Sequence, residues 1–268
     1  MKMFKRIMQC MVLLVLLFVF SSFLSGSAPF VVQTDPAVYL KYIDAVLPRI
    51  RRIVFLNDSV NDALRDRKRY TRIEEISPDL KHAILSIEDN RFYDHIGIDP
   101  AAVARAMLVN LQYGRIEEGA STITQQLAKN LFLSGDQTME RKAEELLLSL
   151  DLELRYDKDE ILELYLNSIY FGTGFYGIGD ASYGYFGKAP GELNLAESAM
   201  LAGVPNAPSV YSPFVDFMLS KKRQFIVLDA MVRSGYITER EAESAKIESL
   251  DFVGTEAAPI PGSVSTAQ

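Results

Sequence analysis

Apolar residues along the chain recur mainly at the spacing of amphipathic helices. After Ser77 and Pro78, which suit a helix N-cap and first turn, they fall at i, i+3, i+4 and i+7 up to Ile87. The same spacing predicts further helices at 101–111, 122–131, 141–154, 161–169, 194–203, 216–233 and 238–250. Only Thr71 to Ile76 favours a short strand. The pattern therefore predicts a mainly α-helical fold.

The N-terminal part is different, because residues Ile7 to Leu24 carry no charge and nearly reach the ~20 residues that span a bilayer. Residues 1–6 are basic, so the positive-inside rule places them in the cytoplasm and the rest of the chain outside it. A cleaved signal peptide is the alternative, but this run exceeds the usual ~7–15 apolar residues. We expect a single-pass protein of the cytoplasmic (inner) membrane, with residues 25–64 as an extracytoplasmic stalk.

Charge and composition exclude several classes of protein. The net charge of −7 over 268 residues argues against nucleic acid as a partner. Cys10 is the one cysteine and lies in the apolar run, which excludes a disulfide framework or a cysteine metal site. With only His82 and His95 present, a multi-histidine metal site is excluded too.

Two carboxylates, Glu88 and Asp89, stand together at the C-terminal end of the helix that follows Ser77. The helix macrodipole disfavours negative charge there, so we expect a raised pKa for Glu88, more so if it is buried beside Phe92. A carboxylate with a raised pKa can act as a general base. The other interpretation is that both are solvated charges, and this stretch alone does not decide.

A run of hydroxyl and amide side chains extends from Gly119 to Asn130, interrupted by Ile123. Such residues disfavour a helix interior unless their side chains are used. Thr122 and Gln125 fit a capping box. The stretch is either an ordinary capped helix with a solvated lysine or a polar wall that binds sugar or phosphate.

Arg141 and Glu145 are spaced i, i+4 in the next predicted helix, a pairing that is usually an exposed ion pair worth a few tenths of a kcal/mol. The apolar stripe predicted for this helix is Ala143, Leu146, Leu147, Leu150 and Leu154. Further along, the glycine-rich segment 171–177 lacks the spacing of a nucleotide-binding loop, and we predict a tight turn with aromatic packing.

Together these stretches resemble the peptidoglycan glycosyltransferases, glycosyltransferase family 51, which include the transglycosylase domain of class A penicillin-binding proteins. The resemblance covers residues 65–250 and rests on motifs in the family's order. They are Glu88-Asp89 with Phe92, His95 and Gly97; Gly119 to Asn130; Arg141-Lys142 with Glu145; Lys158 to Gly172; and Lys222-Arg223 with Val227-Leu228 and Met231. No transpeptidase motif follows, so the monofunctional form is expected.

The resemblance implies a lysozyme-like helical lobe and a smaller, membrane-proximal jaw lobe, with residues 251–268 as a disordered tail. It also implies lipid II as substrate, a growing glycan strand as product, and membrane lipids and cell-wall synthesis proteins as partners. Under this resemblance Ala101 to Leu111 and Leu131 to Leu133 are expected to face the membrane, although the apolar pattern alone favours a core position.

The resemblance further implies catalytic and binding roles. Glu88 is the general base, and Glu145 is a second catalytic carboxylate that orients Arg141 or Lys129 or holds a divalent cation, Mg or Mn, which is not a firm requirement. Residues expected to bind pyrophosphate or sugar are Lys129, Arg141, Ser121, Gln125, Gln126 and Asp89. Residues expected to be structural are Phe92, His95, Gly97, Asn167 and Arg223.

Two alternative functions stay open at this point. One is a lysozyme-like glycan hydrolase, which also uses two carboxylates. The other is a non-enzymatic, membrane-anchored cell-wall scaffold. The chain also departs from the family at Gln137, where many relatives carry a basic residue, and we expect weaker binding of phosphoglycolipid inhibitors as a result.

Overall fold

The structure, a computed structural model, describes residues 54–113, 119–133 and 138–254. Contacts divide the chain into two units, residues 1–59 and 60–268, and the first is described only from residue 54. The predicted anchor at 7–24 lies outside the described residues. None of the described helices is long and apolar enough to cross a membrane.

Helices account for nearly all regular structure in the described residues, which contain no β-strand and only the isolated bridges Ile96–Ile98 and Tyr170–Tyr176. The α-helices are α1 (Leu56–Leu64), α2 (Pro78–Glu88), α3 (Pro100–Tyr113), α4 (Ile123–Phe132), α5 (Met139–Arg155), α6 (Lys158–Ser168), α7 (Ile178–Phe186), α8 (Leu195–Gly203), α9 (Pro208–Tyr211), α10 (Phe217–Arg233) and α11 (Glu239–Ile247). Short 3₁₀ turns lie at Ile73–Glu75, Phe92–Asp94, Pro190–Glu192 and Val204–Asn206. The predicted mainly α-helical class is confirmed.

The helix starts follow local sequence chemistry. A capping box forms at Thr122, as predicted, and others form at Asp157, Asn194 and Thr238, each with its partner three residues on. Ser77 precedes α2 as predicted, but its hydroxyl donates to the carbonyl of Leu193 at 3.0 Å and does not cap the helix. The start of α2 therefore depends on Pro78 and on a tertiary contact.

Helix α8 is the centre of the core and packs most extensively against α2 and α10. All its residues from Ala196 to Gly203 are buried, and most are small, so the neighbouring helices can approach closely. At Gly203 an added Cβ would lie 2.8 Å from Cγ of Arg223 on α10. Because Gly203 has no Cβ, it leaves space for the side chain of Arg223.

The segment predicted as a strand, Thr71 to Ile76, is instead extended backbone leading into a 3₁₀ turn. Side chains of α6 bond its backbone: Asn167 Oδ1 accepts from Thr71 N and Asn167 Nδ2 donates to Thr71 O, both at 2.8 Å. Glu163 Oε2 accepts from Ile73 N at 2.7 Å. The strand prediction was wrong because these side chains take the place of a neighbouring strand.

The apolar stripe predicted for α5 is only partly the buried face: Leu154 is buried, whereas Leu146 and Leu150 are half-buried. Ala143 and Leu147 are exposed. The buried residues of the helix are Glu145, Leu148, Ser149, Leu152, Glu153 and Leu154. Glu153 accepts from Thr124 Oγ1 of α4 at 2.6 Å, so α5 turns a partly polar face towards α4. An apolar-spacing rule cannot find a buried face that carries two carboxylates.

The glycine-rich segment forms a turn with aromatic packing, as predicted: the Tyr170 and Tyr176 ring centroids are 4.5 Å apart, and Phe175 packs edge-on against Tyr185 at 5.0 Å. Helix α7, which follows, was not predicted because Gly179 and Gly184 interrupt its pattern. An added Cβ at Gly184 would lie 2.2 Å from Phe175 Cζ, so this glycine serves close packing and does not mark a loop.

The predicted tail begins with a segment that is packed. Phe252 stacks on Phe186 with ring centroids 5.1 Å apart, and Val253 N donates to Tyr185 O at 2.9 Å. The remainder of the predicted tail, from residue 255, lies outside the described residues.

We expect Asn167→Ala to lower the free energy of unfolding by about 2–3 kcal/mol, because it leaves the buried amide and carbonyl of Thr71 without partners. Denaturant unfolding followed by circular dichroism measures this. Ser244→Ala, an exposed hydroxyl on α11, is the control and should change stability by less than about 0.5 kcal/mol. Equal stability of the two variants would contradict a stabilising role for the hydrogen bonds between Asn167 and the backbone of Thr71.

Candidate active site

Glu88, the last residue of α2, lies in the wall of a cleft of about 560 Å³. Its Oε2 accepts a hydrogen bond from Gln126 Nε2 of α4 at 2.7 Å. Its Oε1 is enclosed and has no hydrogen-bond partner among the described residues. One carboxylate oxygen is thus bonded to Gln126, and the other is enclosed without a hydrogen-bond partner.

Burial raises the pKa of Glu88. The Gln126 hydrogen bond and the positive charges of Arg223 and Lys129 oppose this rise, while the neighbouring charge of Asp89 adds to it. The direction of the pKa shift agrees with the prediction, which gave the helix end as the first reason and burial as an addition. Burial is the main cause. A carboxyl of this kind can exchange a proton nearer neutral pH than an ordinary glutamate.

Asp89 is buried, and both of its carboxylate oxygens are hydrogen-bonded. Both of its oxygens lie 3.0 Å from His95 Nε2, and Oδ2 also accepts from the N–H of Ile123 at 3.0 Å. The bond to Ile123 places a carboxylate on the first turn of α4, where the helix dipole favours it. Asp89 therefore fastens the end of α2 to the start of α4.

Gly97 completes the attachment of this segment. Its carbonyl accepts from Thr122 Oγ1 at 2.7 Å, and its φ of +70° is a conformation that glycine adopts without strain. An added Cβ would lie 3.2 Å from the carbonyl oxygen of Ser149 on α5. Phe92 is buried nearby, with Lys158 Nζ 4.4 Å from its ring centroid.

Glu145 is the second carboxylate of interest, and its side chain is only 3% exposed. Arg141 Nη1 donates to its Oε2 at 2.8 Å, and Lys142 Nζ bonds its Oε1. Lys142 Nζ also donates to Ser121 Oγ at 3.1 Å. Glu145 is therefore not part of an exposed pair: it bonds two cations of its own helix, and one of them, Lys142, links α5 to Ser121 before α4.

Sequence reasoning gave Lys142 no role of its own. The i, i+3 spacing from Lys142 to Glu145 was a usable signal for the ion pair. The contact with Ser121 joins residues that are distant in sequence and had no signal.

The predicted substrate-binding residues do not all reach the cleft. Ser121 and Asp89 line it, whereas Gln125 is buried and its amide oxygen accepts from Thr122 N at 2.9 Å within the capping box. Lys129 is exposed near the end of α4, close enough for its charge to act on Glu88. Gln126 donates to Glu88 itself. Gln137 lies outside the described residues.

Arg223 takes a position that the sequence did not indicate. It lines the cleft with Arg105 and Arg233, and its guanidinium carbon lies 5.6 Å from the ring centroid of Tyr211. Its charge lowers the pKa of Glu88, against the effect of burial. The cleft therefore combines an enclosed carboxylate with arginine side chains, an arrangement that suits proton abstraction beside an anionic leaving group.

A family model described as Transglycosylase matches residues 57–232. The chain belongs to the transglycosylase family. It is 48% identical over 176 residues to penicillin-binding protein 1A of Aquifex aeolicus, covering 66% of this chain and 24% of that protein. It is 44% identical over 179 residues to penicillin-binding protein 1A of Escherichia coli, covering 67% of this chain and 21% of that protein.

The chain thus spans about a quarter or less of the length of these curated relatives. The crystal structure of penicillin-binding protein 1A from Haemophilus influenzae matches 68% of this chain and 18% of that one, with 24% identity and a TM-score of 0.42. That overlap is too low to support a fold assignment.

The cation predicted at Glu145 does not fit the donors that surround this carboxylate. Arg141 and Lys142 already bond both oxygens, and a divalent ion would have to displace one of them. Among the described residues, no group of three or more His, Cys, Asp or Glu side chains could hold a metal ion.

We expect Glu88→Gln to stabilise this protein more at pH 7.5 than at pH 4. A raised folded-state pKa means that the folded protein binds more protons than the unfolded chain between the two pKa values. The charge of Glu88 therefore costs no stability below the unfolded pKa of about 4.3, and its cost grows as the pH rises through the folded pKa. Denaturant unfolding at both pH values measures the difference.

Glu145→Gln is the matched control and should change stability in the opposite direction at pH 7.5, because it weakens two bonds to buried or half-buried cations. A Glu88→Gln effect that is the same at both pH values would contradict the raised pKa.

Proposed function

We propose that this chain is a peptidoglycan glycosyltransferase that polymerises lipid II into linear glycan strands by β-1,4 transfer with inversion, releasing undecaprenyl pyrophosphate. The observation that carries the proposal is the enclosed, unpaired Oε1 of Glu88 in an arginine-lined cleft, within a chain of the transglycosylase family. The relatives named penicillin-binding protein 1A agree with a role in cell-wall synthesis.

In this mechanism Glu88 Oε1 accepts the proton of the acceptor sugar's 4-hydroxyl. The hydroxyl oxygen forms a bond to the donor's anomeric carbon as the bond from that carbon to pyrophosphate breaks. The bonding electrons leave with the pyrophosphate, and the proton stays on Glu88. A single displacement inverts the anomeric centre. Because burial raises the pKa of Glu88, the carboxylate is a stronger base than an exposed glutamate.

Cations near the α4–α5 junction are proposed to bind the pyrophosphate. Arg141 offers a planar set of donors, and its Nε is enclosed with no partner among the described residues. Lys129 adds an exposed positive charge. Glu145 then acts by orienting Arg141 and Lys142, and of the roles open to it this one agrees best with both oxygens being bonded to cations.

We further propose that α3 belongs to a membrane-contacting surface, the part of the protein expected as the jaw lobe. Its exposed apolar side chains are Val103, Met107, Leu108, Leu111 and Tyr113, and Leu111 is 82% exposed. Phe132 and Leu133, which were expected on the same surface, are only half-exposed. The proposal therefore rests on α3, whose apolar face is too extensive for scattered surface residues.

The activity test is incubation with purified lipid II. We expect Glu88→Gln to lower the turnover number by about 10²–10⁴-fold while lipid II binding stays near wild type, because the variant keeps the shape but not the base. Release of undecaprenyl pyrophosphate measures turnover, and Glu239→Gln, an exposed acid on α11, should leave it unchanged.

Retained turnover in Glu88→Gln would remove this residue as the base. If the wild-type chain instead cleaved finished peptidoglycan and released no pyrophosphate, the hydrolase alternative would replace the proposed function. If it did neither, the non-enzymatic scaffold would.

For the membrane surface, the test uses a chain without residues 1–28, which removes the predicted anchor. Leu108→Gln with Leu111→Gln should weaken binding to anionic liposomes by about tenfold or more, because two exposed leucines no longer enter the bilayer. Ile247→Gln with Val253→Gln alters two exposed apolar residues elsewhere and should not. Equal loss in both pairs, measured by liposome flotation, would exclude a specific role for α3.

A further inference from the structure

Three helices meet in one chain of hydrogen bonds that ends on Glu88. Tyr165 of α6 is fully buried, and its hydroxyl donates to Gln126 Oε1 of α4 at 3.2 Å. Gln126 Nε2 in turn donates to Glu88 Oε2 of α2 at 2.7 Å. Tyr165 does not line the cleft, and its hydrogen bond to the site runs through Gln126.

We propose that Tyr165 is a positioning residue for the base: by donating to the amide oxygen of Gln126, it keeps the amide N–H on Glu88 Oε2 and leaves Oε1 for the acceptor hydroxyl. The inference rests on the proposed function, in which Glu88 is the general base.

The need for such a residue follows from the symmetry of a glutamine amide. The oxygen and nitrogen ends have nearly the same shape, so the Gln126 side chain can turn over within one volume. In the turned state its oxygen would face the Glu88 carboxylate, and two acceptors would repel each other. A donor on the far side of the amide, such as the Tyr165 hydroxyl, excludes that state while Glu88 is ionised.

Tyr165 is suited to be this donor. Burial, together with the charges of Glu88 and Asp89, raises the pKa of Tyr165 well above its usual range, so the hydroxyl keeps its proton across the working pH. Removing the hydroxyl as Tyr165→Phe keeps the ring and its packing, and it removes one hydrogen bond.

The charged groups around Glu88 make no hydrogen bond with the Tyr165 hydroxyl, so Tyr165→Phe leaves their own bonds in place. Asp89 follows it in sequence, Lys129 acts from α4 and Arg223 acts from α10, and none of them bonds Tyr165. Arg105 and Arg233 line the same cleft. A shift in the titration of Glu88 on Tyr165→Phe therefore reports on the Gln126 amide and not on a rearranged ion pair.

The expected result is a change in pH dependence rather than a uniform loss. Without Tyr165 the amide donates to Glu88 less often, so the carboxylate form is less favoured and the acid limb of the kcat profile moves to higher pH. The acid-side rate falls by up to about tenfold, while the alkaline plateau and KM for lipid II stay near wild type.

The matched control is Tyr185→Phe. Tyr185 is also fully buried, and its hydroxyl bonds Phe171 O and Ser212 Oγ at 2.8 and 2.7 Å. This variant loses a buried hydroxyl but keeps the hydrogen bonds from Tyr165 through Gln126 to Glu88, which we call the relay. It should therefore lower stability and leave the acid limb in place. An equal shift of the acid limb in both variants would overturn the proposal, because it would reflect loosened packing.

A double-mutant cycle through the amide completes the test. In a Gln126→Met background, adding Tyr165→Phe should shift the acid limb no further, and an additive shift would overturn the relay. An active wild-type enzyme whose profile is unchanged by Tyr165→Phe would overturn the relay and leave the proposed function intact.

If the wild type released no undecaprenyl pyrophosphate, the proposed function would fail by itself. NMR titration of ¹³C-labelled Glu88 with and without Tyr165→Phe would still decide the relay, since an upward shift supports it and no shift overturns it.

Discussion

The attachment of the 88–97 segment to the start of α4, through the carboxylate of Asp89, is the constraint on which the site depends. Asp89 meets His95 and the backbone of Ile123 while almost fully buried. A buried charge of this kind is tolerated only when its oxygens are bonded, and here the bonds come from two separate elements. With α2 and α4 fastened together, Glu88 has one available neighbour for Oε2, the amide of Gln126.

The two catalytic candidates are treated in opposite ways by their surroundings. Glu145 has both oxygens bonded by cations, which suits a residue that orients other groups. Glu88 has a single neutral donor and one enclosed oxygen without a partner, which suits a residue that must take a proton. Burying a carboxylate without pairing both of its oxygens lowers the stability of the fold. Such an unfavourable arrangement is typical of functional sites, so we expect Glu88 to take part in the chemistry.

Features set by short-range interactions could be predicted from the sequence. The capping box at Thr122 and the helical class depend on residues three or four apart, and these predictions were confirmed. The carboxylate at the end of α2 was recognised in the same way, and its pKa is raised as predicted although burial is the main cause. Family membership followed from motif order, and the family match confirmed it.

Features set by packing between distant segments could not be predicted. The inward face of α5 carries Glu145 and Glu153 because α4 supplies their surroundings, and no periodicity in α5 contains that information. The segment after Thr71 looked like a strand because nothing local shows that Asn167 bonds its backbone. Arg223 reaches the cleft because α10 packs against α8, where Gly203 leaves space for it. The net charge of −7 likewise gave no sign of an arginine-lined cleft, since the field felt by a substrate depends on which charges the fold brings together.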